Sequence, residues 1–272
     1  MRAAAAPVAT LGWCLGLIFL PAPAPACDLS PPEPGTVAAV IDGETLKLAD
    51  GRTVRLIGAK APMPPLGLRA DDPWPFVEEA KDALTRLAAG KAVELRYGGA
   101  KTDRHGYALA QAFVVEGGER LWLQQEMVRQ GLARVYSFAD NRACVKELLA
   151  EEAGAREKRL GLWASSLYRV ESAENVERLG RLTESYQLVE GRVASVGSGR
   201  SRLYLNFARD WKSDFTVSVA RKDAGAFVAG GVDLEALAGR RIRVRGWVIW
   251  RNGPMIEATH PEQIEVLPDR GS

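Results

Sequence analysis

Apolar residues in the first third of this chain come in short runs that alternate with polar ones and break at glycine and aspartate. Positions 37–41 form an apolar run that ends on Asp42-Gly43, 45–48 alternates, Ala49-Asp50-Gly51-Arg52 turns the chain, and 53–57 repeats the pattern. Period-two segments joined by Asp-Gly turns predict a tight three-strand meander. Val77, Ala80, Leu84 and Leu87 then recur at helical spacing, predicting a helix over 76–89 that Gly90 stops. Strands follow at 92–97 and 108–115, a second helix at 121–130, and a short strand at 132–136. A third helix, capped at Asp140 or Asn141, runs to about Arg159. Its many charges read as a solvated face supported by local ion pairs.

Positions 164–185 are polar and weakly patterned, as in a linker. Strand patterning returns at 187–196, 202–207, 215–219, 241–250, 255–259 and 263–267, with one short helical piece at 232–238. A helix-poor set of short strands of this kind suggests a second small barrel. The proline-rich stretch 61–75 reads as a surface loop beside the meander, the usual place for binding groups.

Composition narrows the picture. With 47% hydrophobic and 26% charged residues over 272 positions, the chain has an ordinary globular balance and room for two domains. Residues 1–26 hold one charge, Arg2, then an apolar stretch and Ala24-Pro25-Ala26, the pattern of a secretory signal peptide; an uncleaved anchor and a lipid attached at Cys27 are the alternatives. The expected protein is therefore exported, periplasmic or secreted, with no stable membrane span. Removing that leader leaves Cys27 and Cys144, an even pair that favours one disulfide in an oxidising compartment. The formal net charge of +2 is not that of a dedicated nucleic-acid binder, so any such contact must come from a local patch. His105 and His260 lack the neighbours of a zinc site, and no metal site is expected from them.

The segments VIDGETLKL, GRTVRLIGAKAP, TDRHGYALAQAF, LQQEMVRQGLARVY and LGLW, in that order, resemble the staphylococcal nuclease-like family. Members of that family are calcium-dependent phosphodiesterases on an OB-type barrel. The resemblance implies a mainly β fold with helices (α+β): an OB-type five-stranded Greek-key barrel with three helices over 36–163. The segments GRVASV, RLYLNFARDW, FTVSV, LAGRRIRVRGWV and GPMIEATHPEQIEVL look like an OB-fold nucleic-acid-binding domain, implying a second OB-like barrel at 186–268. Residues 27–35 are then a proline-rich lead-in and 164–185 the linker.

The same resemblance locates a site. The turn aspartate that helps to hold calcium falls on Glu44, and the first phosphate-binding arginine on Arg55. The second calcium aspartate falls on Lys60, the water-activating carboxylate on Met63, and the second arginine on Tyr107. A lysine repels a dication, and a thioether cannot take a proton from water. The expected site is thus a remnant, with Glu44 and Arg55 retained and no cofactor. Lys60 is expected either to pair with Glu44 and Asp42 in place of calcium or to point to solvent.

Arg104, His105 and Tyr107 occupy the loop that meets nucleotide phosphates in the family. In the second barrel, Tyr204, Trp247 and Arg245 belong to an interleaved basic and aromatic set of the kind that a stacking platform needs. Single-stranded nucleic acid or another anionic ligand is the partner this implies. One rival is an active nuclease using calcium, with a carboxylate supplied by Asp71, Asp72, Glu78 or Glu79. The other is a purely structural interaction module.

Overall fold

A computed structural model describes residues 27–64, 73–210 and 214–268. The expected leader, Asp71, Asp72 and Trp211, the tryptophan that ends the segment RLYLNFARDW, lie outside them. In the first barrel, β1 (Glu33–Asp42), β2 (Thr45–Leu48) and β3 (Thr53–Leu56) form the predicted meander. The short β4 (Gly58–Lys60) follows, then α1 (Val77–Ala88), β5 (Ala92–Arg96) and β6 (Ala108–Glu116). The strands pair in the order β3-β2-β1-β5-β6, and β3 closes on β6 in parallel. This is a closed five-stranded barrel with a helix between its third and fourth strands. Inward Leu46, Leu56 and Leu95 meet Leu84 of α1 in one core.

Three elements complete this half: β7 (Glu119–Trp122), α2 (Leu123–Arg129) and β8 (Arg134–Tyr136). They are followed by α3 (Val145–Glu157). The expected helix at 121–130 begins later because Glu119–Trp122 pairs with β6 across the Gly117-Gly118 turn. The third helix starts at Val145, not at Asp140 or Asn141. Asn141 is spent in the loop, where its side chain donates to the Ala100 carbonyl at 2.8 Å. Cys144, at the helix entrance, is bonded to Cys27. That disulfide closes a separation of 117 residues, and the chain-entropy account gives such a loop about 3–5 kcal/mol.

The stretch 164–185 contains β9 (Glu171–Ser172), which pairs with the second barrel, and α4 (Val176–Arg181), which buries Leu179. The second barrel then runs through β10 (Tyr186–Arg192), β11 (Ser195–Ser198), β12 (Arg202–Asn206) and β13 (Thr216–Ala220). After α5 (Arg221–Ala229) come β14 (Arg241–Trp250), β15 (Pro254–Ala258) and β16 (Ile264–Leu267). Pairing runs β11-β12-β13-β15-β14-β10, with β13 parallel to β15. Because β10 leads directly into β11, the sheet returns on itself. The wiring matches the first barrel, down to a helix between the third and fourth strands. The helical piece expected at 232–238 is only a turn of 3₁₀ at Glu235–Leu237; the helix lies earlier, anchored by buried Phe227.

Between the two cores sits a third apolar cluster, in which Ala155, Leu162 and Trp163 of the first half meet Tyr186 and Leu188 of β10. β4 pairs with β8, and this small ribbon faces the second barrel. Arg134 donates to the Tyr186 carbonyl at 2.9 Å, and the Tyr186 hydroxyl donates to the Val135 carbonyl at 2.7 Å.

Candidate functional site

The Asp42-to-Thr45 hairpin sets the first group of residues. Gly43 is required there because a Cβ would lie 2.7 Å from that of Ala61 and 2.8 Å from that of Ala80. Close approach of the turn to α1 carries Glu44 inside. Its carboxylate, 6% exposed, accepts from the Ala61 N–H at 2.7 Å. Asp42 accepts from the Glu44 N–H at 2.8 Å. Burial raises the Glu44 pKa, and the opposing pull of Lys60, the Ala61 N–H and Arg55 does not cancel it.

Lys60 ends β4, near enough for its charge to act on the Glu44 carboxylate but without an ion pair to it. Its ammonium is 3.5 Å from the sulfur of Met63 and lies 5.7 Å from the ring centre of Tyr136 and 6.0 Å from that of Trp247. Among the described residues it makes no ion pair with Glu44 or Asp42. The lysine thus acts on Glu44 through space without closing an ion pair, and its ammonium lies against aromatic faces. Met63 itself is 51% exposed.

Arg55, on β3, is half-exposed and carries its guanidinium 5.9 Å from the ring centre of Tyr107 and 4.0 Å from Asp103. The Arg55 Nε and Asp103 Oδ2 are buried without a hydrogen-bond partner. Asp103 accepts from the N–H groups of His105 and Tyr107 at 2.8 and 3.0 Å. Burial pushes its carboxyl up, but those two donors together with Arg55 hold it below the ordinary range. Arg104 and His105 extend to solvent and bond to each other at 3.0 Å. Arg55, Tyr107 and the Asp103 loop thus form one cluster, and Lys60 belongs to another.

That other cluster is the junction of the barrels. Trp247, on β14, is 43% exposed and donates through its indole N–H to the Tyr136 hydroxyl at 3.1 Å. Tyr136 packs edge-on against Phe138 and Tyr186, with ring centres 4.7 and 4.9 Å away. These rings line a cleft of about 250 Å³ whose polar wall includes Ser137 and His260. Ser137 Oγ is 2.7 Å from His260 Nε2. His260 Nδ1 is 3.0 Å from the Thr259 hydroxyl, which donates to Gln263. Thr259 therefore accepts from Nδ1–H, and Nε2 accepts from Ser137. Burial pushes the His260 pKa down to about 4. A base that weak does little to activate a hydroxyl at neutral pH, so the pair acts as a link between barrels.

Tyr204 lines a separate cavity of about 400 Å³ with Asn206, Thr216, Met255 and Arg251. Arg245 is placed differently from the expectation that it meets nucleic acid. It is 1% exposed and contacts Glu152 of α3 at 2.8 Å and Glu265 at 2.5 Å. Strand alternation puts Arg241, Arg243 and Arg245 on one face, and that face is tied up by Glu190, Glu265 and Glu152. Glu152, read from sequence as solvated, is fully buried and also accepts from the Val135 N–H at 2.8 Å. Burial opposes its charge, yet Arg245, the Val135 N–H and Arg156 together more than offset this and keep its pKa lowered. Only the folded partner reveals that role; the charged helix pattern alone carries no sign of it. No group of three or more His, Cys, Asp or Glu able to hold a metal occurs among the described residues.

A closed five-stranded barrel with an arginine on its third strand and an Asp-Gly hairpin between its first two, followed by a second, curled sheet of OB-like wiring, defines a protein of nuclease-barrel architecture. The family model described as staphylococcal nuclease homologue matches residues 53–165. Protein ParB of Escherichia coli is 32% identical over 134 residues, covering 46% of this chain and 74% of that protein. Staphylococcal-like nuclease CAN1 of Arabidopsis thaliana is 34% identical over 120 residues, 44% of this chain. The chain spans only 32% of the length of that plant protein. The chain belongs to the staphylococcal nuclease homologue family.

Proposed function

We propose that this protein binds single-stranded nucleic acid, or a related anionic ligand, through a nuclease barrel that has lost its hydrolytic chemistry. The observation that carries the reading is Lys60. Calcium needs hard oxygen donors, and the family resemblance puts a calcium carboxylate at this position. Here the position holds an ammonium resting on aromatic rings. The remaining donors fit no better: Glu44 is turned inward on Ala61, and Met63 offers a thioether. This donor set does not suit the ion.

What supports binding is the pair of cations left behind. Lys60 makes no ion pair within 4 Å among the described residues, though its charge acts on buried Glu44, and Arg55 is half-exposed with a distant carboxylate at 4.0 Å. Such groups suit a phosphodiester without supplying a base to cleave it. The Cys27–Cys144 bond supports export to an oxidising compartment. No helix among the described residues is long and apolar enough to cross a membrane.

The reading is tested by titrating a fluorescent single-stranded oligonucleotide over a range of salt concentrations, with Arg55→Ala alongside. Salt-dependent binding that weakens in the variant is expected. Binding absent at low salt would refute it.

A further inference from the structure

We infer that the cleft between the barrels is a nucleotide subsite, taking one unstacked base against Tyr136, Phe138 and Trp247 and its phosphate on Lys60. It rests on the binding reading above and names where and how the strand is held.

Three observations meet at this cleft. Its lining is aromatic and open: Trp247 is 43% exposed and Phe138 38%, although both are large rings that folding ordinarily covers. The rings are also held in place. The indole N–H of Trp247 is fixed on the Tyr136 hydroxyl, and Tyr136 is wedged between Phe138 and Tyr186. A fixed ring loses little freedom when a base stacks on it.

Charge is the third observation. Glu257, the acidic residue of the lining, is already neutralised by Arg202 at 3.0 Å and Arg251 at 3.5 Å. His260 is neutral at physiological pH. The cation over two of the lining rings is the Lys60 ammonium, which makes no ion pair within 4 Å among the described residues. A flat apolar ring joined to an anion complements this arrangement, and a cation does not. A nucleotide has that composition, and its single sugar bridges a ring site and a neighbouring phosphate site. The cleft is built from both barrels, so neither half provides it alone. A duplex keeps its bases stacked inside and cannot deliver one to it.

The experiment is anisotropy titration of the full protein with a fluorescent oligothymidylate, repeated for Trp247→Ala, Trp247→Phe and Lys60→Ala. Trp247→Ala is expected to weaken binding about tenfold or more, as loss of a base-stacking ring does. Trp247→Phe, which keeps an aromatic face, should retain most of the affinity. Lys60→Ala should lower the slope of log affinity against log salt by about 0.7, the signature of one lost single-strand phosphate contact. A purely structural role for Lys60 would not move that slope, and it decides the matter even where Trp247→Ala fails to fold. Wild-type binding that none of these variants alters would overturn the subsite and leave the binding reading intact. No wild-type binding would overturn both. Equal affinity for the same sequence as a duplex would also overturn the subsite.

Discussion

Glu44 shows what one buried carboxyl does when its surroundings change. Its raised pKa means that the folded protein holds this proton more tightly than the unfolded chain does. The resulting stability is complete below the ordinary value of 4.5 and is lost as pH rises through the higher folded value. Glu44→Gln keeps an oxygen for the Ala61 N–H and removes the charge. It should therefore be more stable than the wild type at pH 7, with the advantage vanishing below about pH 4.5 in denaturant titrations. A variant less stable at pH 7 would contradict this. At this scale, motif positions were legible and partners were not. Lys60 could be read as a replaced ligand, but its aromatic neighbours come from β8 and β14, far along the chain. Arg245 and Trp247 share one strand face, yet one is sealed against Glu152 and the other is open. Strand alternation fixes a face and says nothing of what covers it.

The elements were legible wherever turn chemistry and periodicity agreed. The Asp-Gly hairpin, the first helix and most strands of the two sheets follow from local pattern. β7 was missed because Gly117-Gly118 turns a strand back onto β6 just ahead of a helix, and the helical pattern absorbed it. α5 was missed because Phe227 is its one buried side chain, too few for a helical stripe. Gly43 carries a demand that the turn signal does not reveal: contact with α1. Gly43→Ala would press a methyl against Ala61 and Ala80, at 2.7 and 2.8 Å. The expected cost is about 1–3 kcal/mol, the range for overpacking, read as a lower urea midpoint. An unchanged midpoint would show that the turn can move off the helix.

At the scale of the molecule, the two barrels are held together by buried polar bonds as much as by apolar contact. Arg245→Met would leave buried Glu152 with Arg156, at 3.2 Å, as its remaining ion-pair partner, at a cost of about 3 kcal/mol, the low end for breaking a buried pair. Adding Glu152→Gln should recover part of the loss, since the second change removes a buried charge that has lost its main partner; equal instability of the single and double variants would argue against the pairing.

His260 sets the acid limit of the same junction. It faces Ser137 and Thr259, with Glu262, Arg142 and Asp140 nearby. Its folded pKa of about 4 lies below the ordinary 6.5, so its contribution is complete above pH 6.5 and is lost as pH falls through 4. Thermal unfolding should weaken across that window, and His260→Asn should flatten the slope. This is the opposite direction to Glu44, so the two variants separate the two effects.

The central claim is that a nuclease barrel here binds without cutting. Its most direct test is cleavage of a labelled single strand by the purified protein, with calcium and with chelator, beside Arg55→Ala as a guard against contaminating nuclease. The account predicts intact strand in every condition while the same samples show salt-dependent binding. Calcium-dependent cleavage that disappears in Arg55→Ala would contradict it and would require a carboxylate other than the one that Met63 replaces.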